Sequence, residues 1–92
     1  MYRLALFASG SGTNVQNICE YFKNNSSIKP KIIYSDRKGA HVLERASNLG
    51  IQSEYFNYNS TPASKLINSL RANKISHIIL AGYLRLIHNK II

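Results

Sequence analysis

Apolar residues run almost unbroken from Tyr2 to Ala8 and then change their spacing. A short unbroken run that stops at a glycine-rich turn predicts a central parallel strand covered on both faces. The turn is Ser9-Gly10-Ser11-Gly12-Thr13-Asn14. After it, Val15, Ile18, Cys19 and Phe22 recur at i, i+3, i+4 and i+7, one stripe of a helix. Thr13 or Asn14 can cap that helix, each offering a side-chain oxygen to the first-turn amides. Asn24-Asn25-Ser26-Ser27 ends it, and Lys31 to Ser35 predicts a second strand centred on Ile32, Ile33 and Tyr34. Asp36-Arg37-Lys38-Gly39 is the next turn. Val42, Ala46 and Leu49 share one face of a second helix, which Gly50 closes as a left-handed residue. Ile51 to Phe56 is a third strand, less apolar and therefore nearer an edge. Thr61 is expected to cap a third helix with Pro62 at its first position, and Ala63, Leu66, Ile67 and Leu70 form its stripe. His77 to Gly82 is a fourth, strongly apolar strand, and Tyr83 to Ile92 begins a further helix.

Strands alternating with helices predict an α/β domain: a parallel sheet with right-handed crossovers and helices on both faces. Four strands are present where such sheets usually have five or more. The C-terminal part of the sheet is thus expected to be missing, and to follow Ile92. Residues 1–92 form one domain at most. A chain of this length buries only about 60–65% of its unfolded surface, so its core is marginal on its own. A hydrophobic content of 45% excludes disorder as a description of the whole chain. Cys19 is the single cysteine, which rules out an internal disulfide and fits a reducing, cytoplasmic setting. On its helix stripe it reads as a small buried hydrophobe. No apolar run approaches the ~18 residues that span a bilayer, and no export signal is expected.

The net charge of +8 favours anionic partners. Its densest stretch is Lys29, Lys31, Arg37 and Lys38, and no basic run is long enough to mark a nucleic-acid tract. A phosphorylated small molecule fits better, because ligands of open parallel sheets bind at the carboxyl ends of the strands. Ser9–Asn14 and Ala81–Ile87 both lie at such ends. Gly10 and Gly12 can take positive φ and let a ligand approach the backbone. The amides of Gly12, Thr13 and Asn14 would point out of a helix N-terminus, whose dipole favours an anion. The hydroxyls of Ser11 and Thr13 and the Asn14 amide add donors, so a phosphate fits without a metal. A plain tight turn is the structural alternative. Val15 stands where a dinucleotide fingerprint needs its third glycine, although Asp36 stands where a ribose-binding acid would. A nicotinamide reading through Gly10, Gly12 and Asp36 stays open. A P-loop and a phospho-acceptor domain do not, since the Gly-Lys-Ser/Thr and the paired acids are absent.

Ala8-Ser-Gly-Ser-Gly-Thr-Asn-Val-Gln16 after an N-terminal strand resembles the opening of the phosphoribosylglycinamide formyltransferase family. Tyr34-Ser-Asp-Arg-Lys38, Leu43-Glu-Arg-Ala46 with Gly50-Ile51, and Ile79-Leu-Ala-Gly-Tyr-Leu-Arg-Leu-Ile87 resemble further stretches of it in the same order, so the likeness covers the whole chain. It implies a Rossmann-like fold and formyl transfer from 10-formyltetrahydrofolate to the amine of glycinamide ribonucleotide, in purine synthesis. By the match, Gly10, Ser11, Gly12, Thr13 and Asn14 would hold the ribonucleotide phosphate. Leu84, Arg85, Leu86 and Ile87 would border the folate's pteridine ring.

The departures matter as well. The family's Asn-x-His segment and its later aspartate do not occur in these 92 residues. No catalytic residue is therefore expected within them, and the chain alone is expected to bind weakly and not to turn over. His88 lacks the Asn-x-His context and, like His41 and His77, reads as a surface histidine. Asn57 to Thr61 carries no arginine where the family has a folate-contacting one. The expected partners are small molecules, with no nucleic acid, membrane or metal. Another folate-dependent formyltransferase or a formyltetrahydrofolate hydrolase remains as the near alternative.

Overall fold

A computed structural model describes residues 2–83. Its elements are β1 (Tyr2–Ala8), α1 (Thr13–Tyr21), β2 (Ile28–Ser35), α2 (His41–Leu49), β3 (Gln52–Tyr55), α3 (Ala63–Ala72) and β4 (His77–Leu80). The sheet is parallel throughout, in the order β3-β2-β1-β4. The predicted α/β architecture with helices on both faces is the one observed.

The unbroken apolar run of β1 is explained by its place: it pairs on both sides and is covered on both faces. Leu4, Leu6 and Ala8 point to one face, where Val15 and Cys19 of α1 and Val42 and Ala46 of α2 pack. Ala5 and Phe7 point to the other, against Leu66 and Leu70 of α3. Phe7 stacks on Tyr34 with ring centroids 5.0 Å apart. Each such fully buried side chain contributes about 1.5–3 kcal/mol. A polar chain also ties α3 to the sheet: the Tyr34 and Ser69 hydroxyls are 2.6 Å apart, and Ser69 donates to Glu54 at 2.8 Å.

Several boundaries differ from the sequence expectation. β2 begins at Ile28, ahead of Pro30, because Ile28 to Pro30 already pair with Tyr2 to Leu4. Pro30 has no N–H to give the ladder, and the register shifts just after it, between Leu4 and Ala5. β3 is shorter than Ile51–Phe56 and stands at the sheet edge, as its polarity suggested. β4 ends at Leu80. The α1 cap is Gly12, with no side-chain hydrogen bond, so neither Thr13 nor Asn14 serves as the cap. Helix α3 starts one residue later than expected, with Pro62 at the cap position. Thr61 Oγ1 instead accepts the Asn57 amide at 3.0 Å and closes the preceding loop. Gly50 ends α2 at φ 71°, as expected. The helix expected over 83–92 lies outside the described residues beyond Tyr83.

Candidate functional site

The chain passes from β1 outward through β2 to β3, then returns to place β4 on the opposite side of β1. The connections leaving β1 and β4 therefore diverge, and a crevice opens between them at the carboxyl end of the sheet. Two backbone bonds hold its walls: Ala81 donates to the Phe7 carbonyl at 2.8 Å, and Ser9 to the Gly82 carbonyl at 3.3 Å. The crevice is about 230 Å³, lined by Gly10, Ser11, Gly12, Thr13, Asn14, Ala81 and Gly82. All five residues singled out for a phosphate thus line one cavity, joined by two from the end of β4.

Helix α2 fixes which way the loop's peptides face. The Gly10 carbonyl accepts the Val42 amide at 3.3 Å, and the Ser11 carbonyl accepts Arg45 Nε at 2.6 Å. In a trans peptide the N–H points opposite to the C=O. The Ser11 and Gly12 amides are therefore turned away from α2. The Gly12 carbonyl accepts the Gln16 amide at 2.9 Å and starts α1. Thr13 and Asn14 are its first two residues, whose amides have no intrahelical acceptor. The four residues that carry these N–H groups line one small cavity beside the positive end of a helix dipole, an arrangement suited to an anion. The Ser11 and Thr13 hydroxyls are hydrogen-bonded to each other at 3.1 Å, which leaves one of their two protons as a further donor at its rim.

The two loop glycines play different parts. Gly12 alone of the pair has positive φ, +83°, and a Cβ on it would meet Val42 Cγ2 at 2.6 Å. Its missing side chain lets α2 pack against the loop, so a larger residue would act by pushing α2 away, not by intruding on a ligand. Gly10 does not have the positive φ that the sequence reading allowed it, and a Cβ there would meet nothing within 4 Å. Gly82 takes φ +78°, and a Cβ on it would come 3.7 Å from Asn14 Nδ2, so that side chain lies across the crevice from β4.

Sequence reasoning missed Arg45 as part of this site. Besides Ser11, its Nη1 donates to Gln16 Oε1, and Gln16 Nε2 donates to Glu20 Oε1 at 2.9 Å. Nothing local marks it, because the contact spans 34 residues of sequence. Val15, which broke the dinucleotide pattern, is fully buried under β1 as a core residue. Asp36 is also buried, just after β2. Cys19 is buried, and that burial, with Glu20 nearby, pushes its thiol up to about 11. His41 is exposed at the start of α2, with Nδ1 3.3 Å from Glu44, an ion pair only when the ring is protonated. His77 is exposed and packs edge-on against Tyr2. Leu84, Arg85, Leu86, Ile87 and His88 lie outside the described residues. Among the described residues, no three His, Cys, Asp or Glu side chains converge as a metal site would need, and no helix is long and apolar enough to cross a membrane.

Residues 2–92 match the family model described as formyl transferase. The chain is 36% identical over 93 aligned positions to phosphoribosylglycinamide formyltransferase of Bacillus subtilis, covering 95% of this chain and 48% of that protein. Its fold superposes on the crystal structure of glycinamide ribonucleotide transformylase 1 from Geobacillus kaustophilus with a TM-score of 0.88. Identity there is 38%, over 97% of this chain and 50% of the other. The phosphoribosylglycinamide formyltransferase structure from Streptococcus pneumoniae gives 0.84 at 31% identity, over 99% and 50%. The chain thus spans about half the length of each of these relatives.

Proposed function

Because this chain belongs to the formyl transferase family, we propose that it is the N-terminal, phosphate-holding part of a phosphoribosylglycinamide formyltransferase domain, spanning residues 1–92. The observation that carries the reading is the amide cradle at the sheet's switch point, where α2 turns the Ser11 and Gly12 peptides outward beside the start of α1. In it, Gly10, Ser11, Gly12, Thr13 and Asn14 hold the phosphate of glycinamide ribonucleotide. That anchor fixes the far end of the substrate, so the rest of the domain can present the amine to its formyl donor, a positioning effect. The donor is 10-formyltetrahydrofolate, and Leu84 to Ile87 border its ring.

The two sheet edges support the reading of a partial domain. β3 is a polar edge. β4 borders an apolar groove toward α1, lined by Leu4, Phe22 and Ile28, and toward α3 a mixed one in which Arg71 and Ser76 join Ile67, Leu70 and Ile75. Leu80 is 51% exposed. A strand apolar on both faces belongs inside a sheet, and further strands and helices beyond β4 would cover it. The acid-base segment of the family, Asn-x-His with a later aspartate, is then supplied from outside these 92 residues, which alone do not catalyse. The protein works in the cytoplasm on small molecules.

Calorimetric titration of the chain with glycinamide ribonucleotide, NAD and a short oligonucleotide tests the reading. Saturable binding of the ribonucleotide, competed by inorganic phosphate, supports it. NAD binding without ribonucleotide binding would favour the nicotinamide alternative. Binding to the oligonucleotide alone, falling steeply with salt, would point to dispersed charge.

A further inference from the structure

Arg45 has a bonding pattern that its surface position does not require. Its guanidinium, half-buried on α2, donates Nε to the Ser11 carbonyl at 2.6 Å and Nη1 to the Gln16 side-chain oxygen. Both acceptors are neutral, and among the described residues no carboxylate forms an ion pair with the guanidinium. Ser11 precedes the glycine at the α1 cap, and Gln16 lies in the first turn of α1. One planar fork therefore spans the loop and the helix it feeds, and its reach suits Arg and not Lys. Gln16 is itself held from the other side by donating to Glu20 at 2.9 Å.

We propose that Arg45 is a positioning residue for anion binding at the α1 loop: it locks the Ser11–Gly12 peptide with its N–H toward the crevice and leaves a fixed positive charge behind it. The inference rests on the phosphate reading given above. Its physical content is preorganisation. Without the fork, the Ser11–Gly12 peptide can rotate its carbonyl toward the crevice, which sets a negative dipole against an incoming phosphate. The neighbouring carbonyl, Gly10, keeps its backbone donor from Val42, so the effect of Arg45 is confined to one peptide. The charge of the guanidinium adds attraction that salt weakens.

The test is a titration of the isotopically labelled chain with inorganic phosphate, followed by amide NMR, for the natural sequence, Arg45→Lys and Arg45→Met. The methionine keeps the aliphatic stem and loses both charge and donors, whereas the lysine keeps the charge and loses the fork. Thermal melting is expected to stay within a few degrees in both variants. Phosphate affinity is expected to fall at least tenfold in Arg45→Met and to recover only partly in Arg45→Lys. The Gly12 amide resonance should move in both variants before any phosphate is added, which a role in overall stability would not produce. Arg45→Met binding within twofold of the natural chain, or an unmoved Gly12 resonance, overturns the proposal. Full recovery by lysine reduces Arg45 to its charge and also overturns it. If the natural chain shows no phosphate-dependent shifts at residues 10–14, the phosphate reading itself fails, and this inference with it.

Discussion

Replacing Gly12 with alanine separates steric from conformational cost within one loop. At φ +83°, any L side chain enters the left-handed region, which costs about 1–2 kcal/mol. The new Cβ would also lie 2.6 Å from Val42 Cγ2, 2.8 Å from its Cβ and 3.0 Å from its Cα. The last of these is backbone, so rotating the valine cannot relieve the contact, and α2 must move. Overpacking of this kind costs roughly 1–3 kcal/mol. Together they give about 2–5 kcal/mol, against a total stability of about 5–14 kcal/mol for a chain of this size. Gly50→Ala is the internal control, because Gly50 has φ +71° with no atom within 4 Å of its added Cβ. It bears the conformational cost alone, about 1–2 kcal/mol. Urea unfolding of both variants, followed by far-UV circular dichroism, gives the two midpoints and their slopes. A Gly12→Ala loss no larger than that of Gly50→Ala would refute the claim that Gly12 exists for the packing of α2.

Gly10→Ala is expected to leave the unfolding midpoint unchanged, since its Cβ meets nothing within 4 Å. It should still weaken ribonucleotide binding severalfold by calorimetry, because Gly10 lines the crevice. Cys19 should resist alkylation in the folded chain at pH 8 and react on unfolding, since burial raises its thiol from 9.0 to about 11. A thiol raised in the folded state stabilises the fold fully below its unfolded value and loses that contribution as pH rises through about 11. The melting temperature should therefore fall between pH 9 and 11, and less so in Cys19→Ala. Tyr34, raised chiefly by burial, adds a loss of the same sign at higher pH. Ser69→Ala leaves the Tyr34 hydroxyl and Glu54 without their shared partner and should cost about 1–3 kcal/mol in urea unfolding. Tyr34→Phe in that background should cost little more.

The strands and helix stripes were legible because burial leaves a period in the sequence. The run Tyr2–Ala8 announced a strand covered on both faces, and Val15 with Cys19 and Val42 with Ala46 announced the helices beneath it. The polar letters of Gln52–Tyr55 placed that strand at an edge. Helix starts were less legible. Thr13, Asn14 and Thr61 are good capping residues by type, yet tertiary contacts decided otherwise: the loop must pass beneath Val42, which places a left-handed glycine at the cap. The bulge after Pro30 was readable only in part, since proline marks a break in the ladder without showing that pairing resumes before it. In the candidate site, the five loop residues were visible through glycine spacing. Arg45 was not, because its meaning depends on α2 crossing the loop, a contact that no local pattern encodes.

We propose that outward-facing amides at the start of α1 receive a phosphate. A crystal structure of the chain with glycinamide ribonucleotide tests it most directly. Phosphate oxygens are expected within hydrogen-bonding distance of the Gly12, Thr13 and Asn14 amides, with the Ser11 carbonyl still on Arg45. A ribonucleotide bound elsewhere with this loop vacant, or a loop whose amides turn inward to the protein, would contradict it.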